Sequence, residues 1–383
     1  MNKTPFVSFC LTICLLMAIP MGCSDNDKNK AGDSSVKATM PANSEPTQTQ
    51  QATSLQPTES QPLASEQPKE ISIVSPDIVL SETNNLSNPK ATKEANILYN
   101  YIRDIHGDYT ISGQQESTWN GTPDYEMNYI KDITGRLPAI RGLDYINEDF
   151  DGVTQRAIDW WKQEGGIVTI CWHWGTPPNG VGYESSKGTI DLEEALTPGT
   201  ELNQGMLAQM DRVAEELKKL QDAGVPVLWR PFHEFDGAWF WWGKGGSENF
   251  IKLWRLMYDR YTNVHGLNNL IWVLGYSGEV KDGWYPGDDY VDIIGADNYS
   301  EGTQVAKYNK LAQSIGTEMP IVYHENGPIP DPDEMIKDGA KWAWFMTWHT
   351  IHIMEQNTPV YVDKVYNHDY VITLDELPDF KKL

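Results

Sequence analysis

Between Ser24 and Leu98 the chain has no phenylalanine, tyrosine or tryptophan. Ser, Thr, Gln, Pro, Asn and Glu fill that stretch, too little apolar surface to offset the entropy of ordering it, which predicts a flexible tether over residues 23–90 rather than a domain. Cysteine is also scarce. Of the four, Cys10 and Cys14 sit in the N-terminal apolar run, Cys23 follows it, and Cys171 alone remains beyond, so no intramolecular disulfide is available to the folded part. Basic residues number 30 against 54 acidic ones, for a net charge of -24, and no basic run is interleaved with aromatics. That balance excludes nucleic acid as a natural partner and suits a soluble exported protein with a neutral ligand. Glycine-rich turns of the GxGxxG kind are missing after the first strand-like segment, which disfavours an open dinucleotide-binding sheet.

Residues 1–22 carry Lys3, the apolar run PFVSFCLTICLLMAIPM and then Gly22. A charged start and an apolar run too short to span a bilayer stably predict a signal peptide. Gly22 followed by Cys23 and the polar SDNDKNK resembles a bacterial lipoprotein cleavage site, with Cys23 acylated. Pro20 stands where such sites favour Leu, so an ordinary signal peptide is the alternative. Either way the protein is exported, as a lipoprotein of the cell envelope or secreted, and any membrane contact is through the lipid anchor.

All 15 tryptophans lie beyond the tether. The roughly 290 residues of 91–383 are enough for one large core. Eight segments of strand length recur there: YTISGQQ, LPAIRGLDY, GIVTICWHW, VPVLWRPFHE, NLIWVLGY, VDIIGADNY, PIVYHENG and WAWFMTWH. Several are near-continuous in apolar and β-branched residues, as buried parallel strands are. Most gaps hold a helical pattern, clearest in QGMLAQMDRVAEELKKLQDAG and ENFIKLWRLMYDRYTNV. Alternating strands and helices predict a single α/β domain, a closed (β/α)8 TIM barrel. No heptad or repeat suggests assembly, so a monomer is expected.

Polar and aromatic residues gather at the C-terminal end of these segments, among them Gln114, Gln115, Asp144, His173, Trp174, His233, Glu234, Asp297, Tyr299, His324, Glu325, Trp348 and His349. In a barrel those ends form one rim, where active sites are built. Glu234 ends the fourth segment and Glu325 the seventh, so their side chains can face each other across the mouth. Hydrolysis of a glycosidic bond needs such a pair, one to protonate the leaving oxygen and one to attack or to activate water. Strand alternation puts Arg230, Phe232 and Glu234 on one side, with Arg230 below the rim, where it could hold one carboxylate ionised. Trp239, in the loop GAWFWWG, and Trp348 are candidate platforms for a pyranose ring, most of the other tryptophans being core. Tyr299 is placed to hydrogen-bond Glu325.

RPFHEFDGAWFWWG and IVYHENGPIPDP resemble the acid/base and nucleophile signatures of glycoside hydrolase family 26, dominated by endo-β-1,4-mannanases, and the likeness extends over the whole folded part. The resemblance implies a retaining hydrolase of mannan, glucomannan or galactomannan, with Glu234 as acid/base and Glu325 as nucleophile and no cofactor or metal. It further implies sugar contacts from His173, His233, Trp239, Tyr299 and Trp348. His349 departs from one branch, which has Arg there, leaving open whether the cut falls in mid-chain or releases short units. The family also holds β-1,3-xylanases and β-glucanases, which remain alternatives. A metal-dependent barrel hydrolase using His173, His233, His324, His349 and Asp297 is a third, though no HxH or HExxH spacing supports it. A non-catalytic sugar-binding barrel is a fourth, opposed by the carboxylate pair.

Overall fold

The computed structural model describes residues 85–383, except residue 278 and residues 316–318. The expected signal peptide, Cys23 and the expected tether up to residue 84 lie outside them. Packing begins before residue 91. Leu86 and Asn88 are buried, and the Ser87 amide donates to Asp292 Oδ1 at 2.6 Å. The end of the expected tether thus lies against the barrel, held by the Leu86 side chain and by hydrogen bonds to Asp292, Asn268 and Tyr258 far along the chain.

Eight strands form the barrel: β1 (Thr110–Gln115), β2 (Ile140–Asp144), β3 (Ile167–Cys171), β4 (Val227–Arg230), β5 (Leu270–Tyr276), β6 (Ile293–Asn298), β7 (Ile321–Asn326) and β8 (Trp344–Thr347). Each lies inside its expected segment. Neighbours pair in parallel all the way round, and β8 and β2 both pair with β1, so the ring closes. A ninth strand, β9 (Val371–Ile372), was not foreseen. It pairs with Thr110 and Ile111 at the start of β1, while β2 joins β1 only from Gly113 onward. The C-terminal segment therefore covers edge groups of β1 that β2 leaves open.

Helices α1 (Lys93–Ile105), α2 (Tyr125–Thr134), α3 (Phe150–Asp159), α4 (Glu201–Asp222), α5 (Gly246–Asp259), α6 (Val305–Ser314), α7 (Pro332–Asp338) and α8 (Pro359–Tyr366) cover the ring. In α4 the Thr200 hydroxyl accepts the Asn203 amide at 3.1 Å, satisfying one free donor of the first turn. Met206, Met210, Val213, Leu217 and Leu220 then fall on one buried face, and Gly224, at φ +70°, lies just beyond the helix end. Strand and helix do not alternate throughout. Between β5 and β6 the described residues hold only a 3-10 turn, Asp288–Tyr290, because the segment is broken by Gly, Pro and Asp. Trp284 of that loop packs against Phe235 and Phe250, each 5.6 Å away, where a helix would otherwise cover the sheet. No helix among the described residues is long and apolar enough to cross a membrane.

Inside the ring, a Cβ at Gly275 would sit 2.1 Å from His324 Nε2, so β5 can approach this buried imidazole only without a side chain. Gly275→Ala is expected to displace His324 and lower stability by about 1–3 kcal/mol. Denaturant unfolding measures this directly; an unchanged midpoint would show that the ring has slack at that layer.

Candidate active site

The chain leaves β4 at Arg230 by an irregular turn. Phe232 and Glu234 have φ of 54° and 55°, a left-handed conformation uncommon outside glycine. Strand alternation therefore stops at Arg230, and the expected shared side for Arg230, Phe232 and Glu234 is not observed. Arg230 points into the barrel; Phe232 packs among Trp174, Trp241, Phe250 and Trp254. The Glu234 amide is tied to the Gly275 carbonyl at 2.9 Å, which fixes this residue at the mouth.

β7 reaches the site by a different irregularity. Against β6, Ala296 pairs with Tyr323 but Asp297 pairs with Glu325, leaving His324 as an extra residue in a bulge. Two consecutive side chains then meet Arg230: its Nη1 lies 2.7 Å from Glu325 Oε1 and 2.9 Å from His324 Nδ1. The Tyr299 hydroxyl donates to Glu325 Oε2 at 3.1 Å. Across the mouth, Trp239 Nε1 donates to Glu234 Oε2 at 2.7 Å. Its ring lies against Gly237, where a Cβ would come within 2.1 Å of it.

Carboxylate oxygens of Glu234, Asp297 and Glu325 all lie within 4.8 Å of one another. Burial pushes the Glu325 carboxyl up, the Arg230 guanidinium pulls it back, and Glu234 adds repulsion. Asp297 is pushed well above the usual carboxylate range by burial and then by Glu234 and Glu325, and no arginine touches it. Crowding of like charges in this space favours the neutral form of Asp297. Its Oδ2 is buried without a protein partner. Among the described residues, the four histidines named for a metal centre do not form one ligand group with Asp297.

His173 bonds Asp144 through both its backbone amide, at 3.0 Å, and its Nδ1. Burial disfavours charge on this imidazole, but the Asp144 carboxylate outweighs that and holds it above the ordinary histidine value. Burial, His173 and Arg230 keep His233 well below that value. Their Nε2 atoms are 3.1 Å apart, within hydrogen-bond distance. His233 is only 1% exposed, with Phe240 and Trp242 against its ring, so it backs His173 rather than opening onto the cleft. Trp348 is partly buried, its ring 5.9 Å from that of His173. Trp239, 40% exposed, has a free face, whereas Trp241 and Trp242 are buried struts whose indoles donate to the Trp174 and His233 carbonyls.

The structure thus brings together all the sequence-expected site residues among those described, with His233 in a supporting place. Asp297 and Asp144 were visible as rim residues, but not as the crowded neighbour of the pair and the partner of His173. Only strand register shows which rim residues meet.

The profile of the family described as Glycosyl hydrolase family 26 matches residues 87–376. A mannan endo-1,4-β-mannosidase of Thermothelomyces thermophilus is 37% identical over 314 residues, 76% of this chain, and the chain spans 63% of that relative's length. A solved ruminal endo-β-1,4-mannanase of the same family superposes with a TM-score of 0.73 at 34% identity, covering 78% of this chain and 71% of its own. A β-mannanase from a symbiotic protist of the termite Reticulitermes speratus, solved with a gluco-manno-oligosaccharide, gives 0.70 at 30% identity over 78% of this chain and 98% of its own. The match runs through the barrel and both glutamate-bearing strands, and the chain belongs to glycosyl hydrolase family 26.

Proposed function

We propose that the protein is a retaining endo-β-1,4-mannanase that acts by double displacement, with Glu325 as nucleophile and Glu234 as acid/base. The observation that carries this reading is the separation of the pair, whose carboxylate oxygens approach within 4.8 Å. Retaining enzymes hold the two carboxyls about 5–5.5 Å apart, whereas inverting ones need about 6.5–9.5 Å to admit a water. In the first step a Glu325 oxygen attacks the anomeric carbon while Glu234 gives its proton to the departing glycosidic oxygen. In the second, Glu234 takes a proton from water, which attacks the same carbon and releases Glu325. Arg230 favours the charged nucleophile, and Asp297, pushed toward its neutral form, adds no further negative charge beside it. Trp348 and Trp239 offer apolar ring faces to the sugars, and His173, held by Asp144 and His233, lies beside Trp348.

Mannan is preferred over β-1,3-xylan and β-glucan because the three relatives described above are all named mannanases, one of them solved with a gluco-manno-oligosaccharide. Export, with Cys23 as lipid anchor or after plain secretion, rests on residues 1–23 of the sequence.

Incubation with glucomannan, galactomannan, β-1,3-xylan and mixed-linkage glucan is expected to yield oligomers from the first two alone; products from xylan or glucan only would refute the substrate. Glu325→Ala should lower kcat at least about 10⁴-fold while retaining oligosaccharide binding. In Glu234→Ala, Glu325 should still attack aryl glycosides whose good leaving groups depart without a proton, and azide should then displace Glu325 from the glycosyl-enzyme and restore turnover. If azide gives no glycosyl azide, Glu234 is not the acid/base.

Replacing Arg230 tests the charge balance. Its guanidinium lowers the Glu325 pKa, so Arg230→Met raises it and leaves less ionised nucleophile at acid pH. The acidic limb of kcat/KM is therefore expected to move to higher pH, with Arg230→Lys lying between the two. A limb that stays in place would mean that Arg230 does not tune Glu325.

A further inference from the structure

Glu126, on α2, is fully buried away from the carboxylate pair and forms no ion pair among the described residues. Its carboxyl accepts the Ser117 amide at 3.0 Å, the Ser117 hydroxyl at 2.7 Å and the Thr350 amide at 3.1 Å. One side chain thereby ties the loop after β1 to the loop after β8. Burying a carboxyl is costly, and an apolar residue would pack that position at less expense. Thr350 adopts φ 52° and ψ −115°, strained for a β-branched residue, and such a conformation persists only where its surroundings hold it.

What the tie holds is an aromatic wall. Trp119, from the first loop, meets the His349 ring edge-on at 4.7 Å, and His349 packs on Trp348 at 5.0 Å. Trp119 is 53% exposed, so much of its ring is open to a ligand. A cavity of about 30 Å³ runs between Trp119, Trp348, His349, Gln115 and Asp144. Burial and then His352 push the His349 imidazole down to about 4, so the wall is uncharged near neutral pH. The loop is anchored at its ends as well, through Glu116 to Arg141 and Arg156, and through Arg141 to Asp124. Because Glu234 protonates the departing oxygen, the leaving part of the chain lies on the Glu234 and Trp239 flank. The retained, glycone part runs the other way, past Trp348 toward this wall.

We propose that Glu126 is a positioning residue for glycone recognition, holding Trp119 and His349 beside Trp348 as one neutral wall that binds the sugars retained after the cut. This rests on the proposed function for its substrate, though not for the tie itself.

Glu126→Ala is expected to raise KM for mannohexaose about tenfold with kcat nearly unchanged, and to shift which bond is cut. Glu126→Gln keeps one acceptor oxygen and should fall between. Simple loss of folded enzyme would lower the apparent kcat and leave KM and cutting position alone, an outcome that overturns the inference. Should Glu126→Ala not fold, Trp119→Ala, exposed and outside the tie, is expected to give the same shift; a wild-type cutting pattern there overturns it too. Hydrogen exchange at the Thr350 amide reads the tie without substrate, and Glu126→Ala, which removes both acceptor oxygens, should accelerate it. Unchanged exchange refutes the tie, whereas a wild-type protein that leaves mannan intact refutes the proposed function alone.

Discussion

The ion pair of Arg230 with Glu325 is the constraint around which the barrel mouth is organised. The guanidinium is 1% exposed and its partner equally buried, so both ions have lost their water. Such a pair contributes little or nothing to stability by itself, because desolvation offsets most of the attraction. Its effect is local and electrical. Three carboxyls crowd within 4.8 Å, and a single guanidinium bonds one of them. The remaining repulsion favours the neutral form of Asp297, which burial and the two neighbouring glutamates push well above the usual carboxylate range. Arg230 thus favours the ionised form of Glu325, and the crowding favours the neutral form of Asp297 beside it, before a sugar arrives.

Both catalytic candidates reach this arrangement by leaving regular geometry. Regular alternation would turn His324 and Glu325 to opposite faces of β7; the bulge lets both meet Arg230. In the turn after β4 the left-handed residues Phe232 and Glu234 send one side chain to the helix layer and the other to the mouth. Strain of this kind costs of order 1–3 kcal/mol per residue and survives only where neighbours over-determine it. Here the neighbours are the aromatic cluster around Phe232 and the strand-to-strand bond from Glu234 to Gly275. The tryptophan-rich loop therefore has two tasks. Trp241 and Trp242 lock the turn from behind, and Trp239 presents its face in front.

What was legible in the sequence follows from what leaves a periodic trace. Buried parallel strands read as apolar, β-branched runs, and all eight were located; α4 has a cap, a face and a glycine stop. The rim was legible because polar residues ending apolar runs are conspicuous. Features made by registration left no trace. The pairing of β9 with β1 depends on two residues far from it in the chain, and the bulge at His324 exists only relative to β6. Packing of Leu86 and Asn88 was hidden by the polar composition around them, and the missing helix after β5 by an assumption of regular alternation. Glu126 was the least visible of all: an acidic residue in the first turn of an amphipathic helix reads as solvent-facing, and only its three donors reveal otherwise.

These observations divide the mouth into unlike halves. Around Glu234, Asp297, Glu325 and Arg230 the protein concentrates charge in a buried volume, where small displacements alter proton positions strongly. Toward Trp348, His349 and Trp119 it presents rings without net charge, where neutral polyol chains gain apolar contact and lose little hydration. The halves share a backbone: Trp348 donates its amide to the Asn326 carbonyl, one residue after Glu325, and its own carbonyl accepts from Gln114. Under the proposed function, coupling of this sort positions a sugar on the aromatic half against Glu325 through β7 and β8 together, and binding energy gathered along the wall can be spent on orientation at the reacting carbon.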